Sequence, residues 1–475
     1  MSASIVIIGG GYSGAAAAIH LARAASAPLD ITVIEPRDRV GGGAAYDVDD
    51  PAVRLNVEDS LMVVDRDDLG RFARWLDESG TRAADPGGVT EEGEFFARRG
   101  DFGRFMDGLF RAAVAGNPSG SVIRHHRGRV LSLQRSQSGY RIGLEDGDVL
   151  EAGLVILAAG NESPAPLPVL PPEVRAHPGY AADPWSGEFL AGIAPQERVL
   201  LIGSGLTAVD MIASLTERGH RGRIDAISRH GLLPRQQGEF PGIAELLRRI
   251  AAPVPALVER HGMPQTVLQV LRWVRADAAA DHANGIGWRN AFDSIRDAAR
   301  HVWPVLPVAE KRRFFRHLKA WYDCHRFRVA PQINRVVSQR IADGSLTVSA
   351  ARIVSAGLAD GGLTVTVRDR GREDLRTATY DRIINCTGPN PDPAQSGIGF
   401  LRQAIDDGLL APDPSGVGLA MTTQCETVSA GGAPNRALLA VGPMTKGHFG
   451  ESVAVPQITL QLATLTARLA GEGRI

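Results

Sequence analysis

Gly9, Gly10, Gly11 and Gly14 follow an apolar run that starts at Ile5, and small side chains continue from Ser13 to Ala18. A buried strand, a G-x-G-x-x-G turn (Gly9, Gly11, Gly14) and a helix whose first amides point at the ligand are the parts that a pyrophosphate needs. Gly9 allows the sharp turn, Gly11 lets phosphates approach the backbone, and Gly14 lets the helix pack closely on the strand. The pattern alone is weak. It is strengthened by a second strand, ITVIE, that ends in Glu35, where a carboxylate accepts hydrogen bonds from both ribose hydroxyls.

The motif returns in ERVLLIGSGLTAVDMIASL, where Gly203 and Gly205 precede a helix opening at Leu206 and Thr207, and Ala208 stands in place of the third glycine. The strand after it ends in Ser228, Arg229 and His230 rather than in an acid. An acid there repels the 2′-phosphate of NADP and an arginine pairs with it, so Arg229 favours NADPH over NADH; a solvated arginine at a strand end is the other reading. Two more apolar strands, AGLVILAAGN and DRIINCTGP, run into small-residue turns at Ala159–Gly160 and Thr387–Gly388.

These spacings predict an α/β fold of two nested Rossmann-like, doubly wound, three-layer dinucleotide domains. The first covers residues 1–165 and resumes at 381–475, and the second covers 190–380. A stiff linker is expected around Pro164, Pro166, Pro168, Pro171 and Pro172. Within the second domain, residues 240–335 carry apolar positions at helical spacing together with Trp273, Trp288, Trp303 and Trp321, and predict a helical insertion whose aromatics are mostly its own core. Residues 345–385 return to alternating strands, with a hairpin turn at Asp360, Gly361 and Gly362.

Composition narrows the function. The chain has 475 residues, 44% of them hydrophobic, and its net charge of −1 provides no electrostatic footprint for nucleic acid. No apolar run approaches the roughly 18 residues of a membrane span and no cationic leader precedes the first strand, so the expectation is a soluble cytoplasmic protein. The three cysteines, Cys324, Cys386 and Cys425, are far apart, which removes the paired-cysteine relay of flavin disulfide reductases. Cys386 is read as strand core, and no residue set is assigned to a metal.

With these features in place, the chain resembles the two-dinucleotide-domain flavoproteins that include class B monooxygenases. Within them it is similar to the family containing a bacterial FAD-dependent urate hydroxylase and an aspartate N-monooxygenase. The similarity is carried by GGGAAYDVDDPAVRLNV, LIGSGLTAVD, ISRHGLLP, INCTGP and AVGPMTKGHFGESVAVPQI. Two departures stand out. VRAHPGYAADPWSG is similar to the Baeyer-Villiger linker fingerprint only in its residue types, not in their order and spacing. Gly442 is followed by Pro443 where many flavoproteins carry an aspartate for the ribityl chain.

The resemblance implies FAD in the first site, NADPH in the second and O₂ as co-substrate. NADPH reduces the flavin, and a C4a-(hydro)peroxyflavin oxygenates a small nitrogenous metabolite. Urate is the leading expectation, with N-hydroxylation of an amine or amino acid as the alternative. A reductase without oxygen insertion and a non-catalytic redox-binding protein are the other classes considered. A homodimer is allowed for.

The expected FAD contacts add Ser13, Val130, Gly442, Pro443 and Ser452 to the first glycine turn. Glu451 and Ser452 are expected to open the final helix, with amides aimed at the electron-rich edge of the flavin, although Glu451 also reads as a carboxylate that only complements the helix dipole. Asn56 reads as a flavin or substrate contact or as a plain turn residue, and Lys446 as facing the cofactor. His325, Arg326 and Arg328 read as an anion site or as a solvated face.

Overall fold

The computed structural model describes residues 4–185, 187–238, 242–359 and 361–475. From the N-terminus, β1 (Ser4–Ile8), β2 (Asp30–Ile34) and β3 (Val122–His126) pair in parallel. An antiparallel meander of β4 (Val130–Ser136), β5 (Gly139–Leu144) and β6 (Val149–Ala152) follows, and β7 (Leu154–Leu157) then joins the opposite side of β1. The second sheet takes β8 (Tyr180–Ala181), β9 (Val199–Ile202), β10 (Ile224–Ser228), β11 (Leu346–Ala359), β12 (Gly362–Asp369), β13 (Leu375–Tyr380) and β14 (Arg382–Asn385) in the order β13-β12-β11-β10-β9-β14-β8. Finally β15 (Glu426–Val428) and β16 (Pro434–Ala440) complete the first sheet, β15-β16-β7-β1-β2-β3.

The central strands read as near-continuous apolar runs because both faces are covered, as parallel strands require. Ile5, Ile7, Val155, Ile156 and Leu157 are fully buried in the first sheet, and Val199, Leu200 and Leu201 in the second. In each sheet the chain leaves the central strand toward one neighbour and later returns on its other side: β1 lies between β2 and β7, β9 between β10 and β14. Such a reversal opens a crevice at the carboxyl ends of the strands, where ligands of open α/β sheets bind.

Some expected boundaries move. β14 pairs in parallel with β9, Ile384 opposite Leu201, so the chain returns to the first sheet after Asn385 rather than at 381; β8 likewise joins the second sheet before residue 190. The helix Pro331–Ala342 also belongs to the second domain's own layer, since its Ile333 and Val337 share a core with Val209 and Ile212 of the helix Leu206–Glu217. Between them, helices from Ile243–Ala251 to Lys319–Arg326 form the insertion, which has a separate small core of Leu257, Val267, Val274, Ala298 and Val302. Residues 240 and 241 of the predicted insertion, and Asp360 of the predicted hairpin, lie outside the described residues; β11 and β12 pair antiparallel on either side of that turn. Among the described residues no helix is long and apolar enough to cross a membrane.

The two dinucleotide units are joined by charge. Arg99, opening the helix Arg99–Ala115 of the first unit, donates through Nη2 to Asp210 Oδ2 on the second unit's helix at 2.7 Å. Nearby, Asp50 Oδ2 accepts from Ser214 Oγ at 2.8 Å and Arg218 Nη2 at 3.1 Å. Asp210 is 2% exposed, and burial outweighs the attraction of Arg99, so its carboxyl is raised to about 6. Removing one partner of a buried pair strands the other charge. Arg99→Ala is expected to cost about 3 kcal/mol of stability at pH 8. A carboxyl whose folded pKa is raised contributes stability at low pH that is lost as pH rises through that pKa, so the deficit should shrink at pH 5, where the stranded Asp210 takes up a proton. Denaturant unfolding at both pH values checks this; a deficit that does not change with pH contradicts it.

Candidate functional site

At the first crevice the backbone crosses itself so closely that side chains do not fit. Gly9 has φ 104°, and a Cβ there would stand 2.5 Å from the carbonyl oxygen of Ala158, so the turn after β1 lies directly against the Ala159–Gly160 turn after β7. A Cβ on Gly14 would overlap the Gly9 carbonyl oxygen. The helix Tyr12–Ala24 can therefore sit low on the sheet, with Ala15, Ala16, Ala17 and Ala18 buried beneath it. Its N-cap, Gly11, has no side-chain cap, which leaves the first amides to a ligand. Gly11 itself faces backbone: a Cβ on Gly43 would stand 2.9 Å from the Gly11 Cα, because the loop after β2 folds over the turn.

Glu35 sits beneath this turn. Its Oε2 accepts from the Gly10 amide at 2.9 Å, while Oε1 accepts from the amide and Nη1 of Arg37 at 3.2 and 3.0 Å. Arg37 is exposed, whereas the carboxylate is buried. One oxygen of Glu35 is thus held by the turn itself and the other by the exposed Arg37. Val130 begins β4, buried and paired with Leu144.

The C-terminal segment closes over the same turn. Gly442 packs on Ser13, so that a Cβ there would overlap the Ser13 hydroxyl, and its amide donates to Gln461 Oε1 at 2.9 Å. Pro443 lies in the short turn Gly442–Thr445, which runs into the helical turn Lys446–Phe449. The final helix then starts at Val455, capped by Ala454. The expectation that Glu451 and Ser452 open this helix is therefore corrected: both precede it, and Pro456 takes the early helical position where a missing amide costs nothing.

Glu451 is held instead by the helical insertion. Tyr322 Oη donates to its Oε1 at 2.6 Å, and Arg326 reaches it through Nε and Nη2 at 3.1 and 3.0 Å. Burial and the adjacent carboxylate push the Tyr322 phenol well above its ordinary pKa, and Glu451 holds the Arg326 guanidinium above its own despite burial. The insertion is pinned further by Trp303, whose Nε1 donates to the Gly447 carbonyl at 2.8 Å and whose ring fills the space a Cβ on Gly450 would take. Arg328 is also buried: its Nη2 donates to Asp293 Oδ1 at 3.0 Å and its Nε to the His325 carbonyl at 2.9 Å. His325 stacks on Phe292 and bonds the Trp321 carbonyl. Neither the anion-site nor the solvated-face reading describes these residues; they are internal struts of the insertion.

The three residues expected to be catalytic each connect to one short stretch, Arg326–Val329, Asn56 only through Gln237. Arg326 holds Glu451, and Lys446 Nζ lies 5.6 Å from the centroid of Phe327. Gln237 donates its amide to Val329 and its Nε2 to the Asn56 carbonyl, both at 2.9 Å. Asn56 is thus anchored by its backbone. Burial and Lys319 lower the Lys446 ammonium pKa. Ser452 Oγ is buried without a hydrogen-bond partner among the described residues, so this hydroxyl is left for a group the chain does not supply. Arg37, Gly43, Gln237 and Tyr322 were missed as site residues; only Gly43, in a run of three glycines, carried a signal in the sequence.

The second crevice repeats the pattern. Gly203 has φ 117°, and a Cβ there would overlap the Cys386 carbonyl oxygen, which places its turn against Thr387 and Gly388. Gly205 caps the next helix without a side-chain bond and faces open space, as does Gly388, while Leu206 and Thr207 form the first helical turn and Ala208 is fully buried. Ser204 Oγ ties the turn to Ser228 Oγ at 2.8 Å and to the Leu232 carbonyl at 2.6 Å. Arg229 is exposed and makes no hydrogen bond or ion pair with a described residue, and His230 beside it contacts Arg370 Nη1 at 2.9 Å. Cys386 is buried core, its thiol pKa raised by burial.

Both crevices fit a dinucleotide: helix amides without side-chain caps, and glycines facing open space, Gly160 at the first and Gly205 and Gly388 at the second. Because a Cβ on Gly14 overlaps backbone rather than a movable side chain, Gly14→Ala is expected to raise the FAD dissociation constant at least tenfold while NADP⁺ binding persists. Flavin absorbance of the purified variant and titration with NADP⁺ check this; full flavin occupancy contradicts it.

Residues 6–162 match a family model described as FAD-NAD(P)-binding. The L-aspartate N-monooxygenase (nitrosuccinate-forming) of Streptomyces cremeus is 34% identical over 165 residues, a match spanning 32% of this chain and about a quarter, 24%, of that protein. Among solved structures, the ornithine N-hydroxylase of Kutzneria sp. 744 aligns over 100% of both chains with a TM-score of 0.66 at 15% identity. The L-lysine 6-monooxygenase of Pseudomonas syringae aligns over 99% of both with a TM-score of 0.64 at 16% identity. Residues 6–162 are thus an FAD-NAD(P)-binding segment, and the whole chain has the fold of two-dinucleotide-domain flavoproteins.

Proposed function

We propose that this chain is an FAD- and NADPH-dependent monooxygenase that hydroxylates the nitrogen of a small amine or amino acid. The reading is supported by the first glycine turn, with its uncapped helix start, buried Glu35 and Gly442 packed on Ser13, in a chain whose Asn56, Lys446 and Glu451 each connect to the stretch Arg326–Val329 of the insertion side. Two of the relatives named above are an N-monooxygenase and an N-hydroxylase, and for that reason the expectation of urate gives way to N-hydroxylation.

FAD, when bound, supplies the redox and oxygen chemistry. The rest falls to the chain. Gly9, Gly11, Ser13 and Gly14 receive the pyrophosphate, Glu35 the adenosine ribose, and Ala159, Gly160 and Val130 flank it. Gly442, Pro443 and the unpartnered Ser452 hydroxyl hold the flavin end. Gly203, Gly205, Leu206 and Thr207 receive NADPH, with Arg229 at its 2′-phosphate and Thr387 and Gly388 alongside. The Glu451 clamp on Tyr322 and Arg326, together with Trp303 on Gly447, keeps the roof down and water out, which oxygen transfer demands. With all three cysteines buried and free, no dithiol takes the electrons.

NADPH oxidation, O₂ uptake and H₂O₂ release, measured with L-aspartate, L-ornithine, L-lysine and cadaverine, test the activity. One of these should raise O₂ uptake and suppress peroxide; oxygen-independent turnover to an organic acceptor means a reductase instead. In the same assay Arg229→Ala should reduce the preference for NADPH over NADH by about 1–3 kcal/mol, the range of a charge-assisted contact. An unchanged ratio removes Arg229 from the nucleotide site.

A further inference from the structure

The charges around Lys446 do not cancel. The charged groups that act most strongly on its ammonium are Lys319, Asp323, Arg326 and Glu451. Lys319 is ion-paired with Asp323 one helical turn on. Both oxygens of Glu451 are taken by Arg326, and one of them also by the Tyr322 hydroxyl. Two cations and two anions are thereby matched. Lys446 is left over, partly buried, with its ammonium against the face of Phe327 and no ion pair among the described residues. An aromatic face attracts a cation but does not neutralise it.

A partly desolvated cation without a counter-ion is costly, and burial already weighs against its charged form. An anion brought beside it recovers that cost. The location matters too: Lys446 lies four residues after Gly442, whose turn packs on Ser13 at the first glycine turn, and its partner Phe327 directly follows Arg326 of the Glu451 clamp. The unmatched charge therefore lies between the Gly442 turn and the Glu451 clamp, on the C-terminal segment proposed above to hold the flavin end.

We propose that Lys446 receives the carboxylate of the substrate, so that the substrate is an amino acid and not a plain amine or diamine. The inference rests on the N-hydroxylation reading for the identity of the site, and deepens it by naming the substrate class. Lys446 then sets specificity: its ammonium donates to the carboxylate, and the amine of the same molecule is turned toward the flavin. The clamp of Glu451 has a complementary duty, because a carboxylate free of Arg326 would cancel Lys446 and admit a cationic amine instead.

Matched probes separate the contributions. FAD-loaded protein is titrated by calorimetry with L-ornithine against putrescine, L-lysine against cadaverine, and succinate as an anion that has no nitrogen to oxidise. The carboxylate-rich member of at least one pair should bind at least tenfold more tightly, succinate should compete with it, Lys446→Ala should erase the ratio, and Lys446→Arg should restore part of it. Should Lys446→Ala not fold, Lys446→Gln and the wild-type ratio still decide. The proposal is overturned if decarboxylated amines bind equally well, if Lys446→Ala weakens both members of a pair alike, or if no anionic probe binds. Because calorimetry needs no turnover, carboxylate binding through Lys446 without coupled O₂ uptake would sink the N-hydroxylation reading alone. Coupled oxidation of cadaverine unaffected by Lys446→Ala would sink this proposal alone.

Discussion

Close backbone packing at Gly9, Gly14 and Gly203 is the constraint on which the rest of this molecule depends. Each position brings main chain against main chain: the first glycine turn against the Ala159–Gly160 turn, its own helix against the Gly9 carbonyl, and the second glycine turn against Cys386. A methyl group at any of them would separate the layers. Because the helices can approach so closely, their uncapped N-termini lie at the carboxyl ends of the strands, where the reversal in strand order has opened a crevice.

Upon that frame the chain adds charge in matched sets. Arg99 with Asp210, and Asp50 with Ser214 and Arg218, join the two dinucleotide units; Glu451 with Arg326 and Tyr322 joins the insertion to the C-terminal segment. Buried pairs of this kind add little net stability over an apolar contact, yet they allow few alternative arrangements. The consequence is a roof seated on the C-terminal segment, with Lys446 beside it left without an ion pair among the described residues and set against the ring of Phe327.

Much of the fold was legible in the sequence because its strongest constraints are local. Gly14 lies three residues after Gly11, and Glu35 closes the very next strand, so spacing alone pointed to the first site. The Gly203 turn and the buried Cys386 were readable for the same reason. The candidate site was less so. Glu451 and Arg326 are 125 residues apart, and no pattern in either neighbourhood announces their pairing. Gly450 and Ser452 look like a helix start, but the chain turns at Gly450 to meet Trp303, and the helix waits until Val455. An apolar run such as RIIN in β14 does not say which sheet it will join; that is decided by its neighbour β9.

Placing oxygen on nitrogen is the chemical claim to which every assigned residue answers, and isotope transfer measures it directly. FAD-loaded enzyme is incubated with NADPH and the preferred amino acid under oxygen-18 gas, and the product is fragmented in a mass spectrometer. The account predicts heavy oxygen on the nitrogen, with none from labelled water. Product that forms without oxygen, or label found only in hydrogen peroxide, would contradict it.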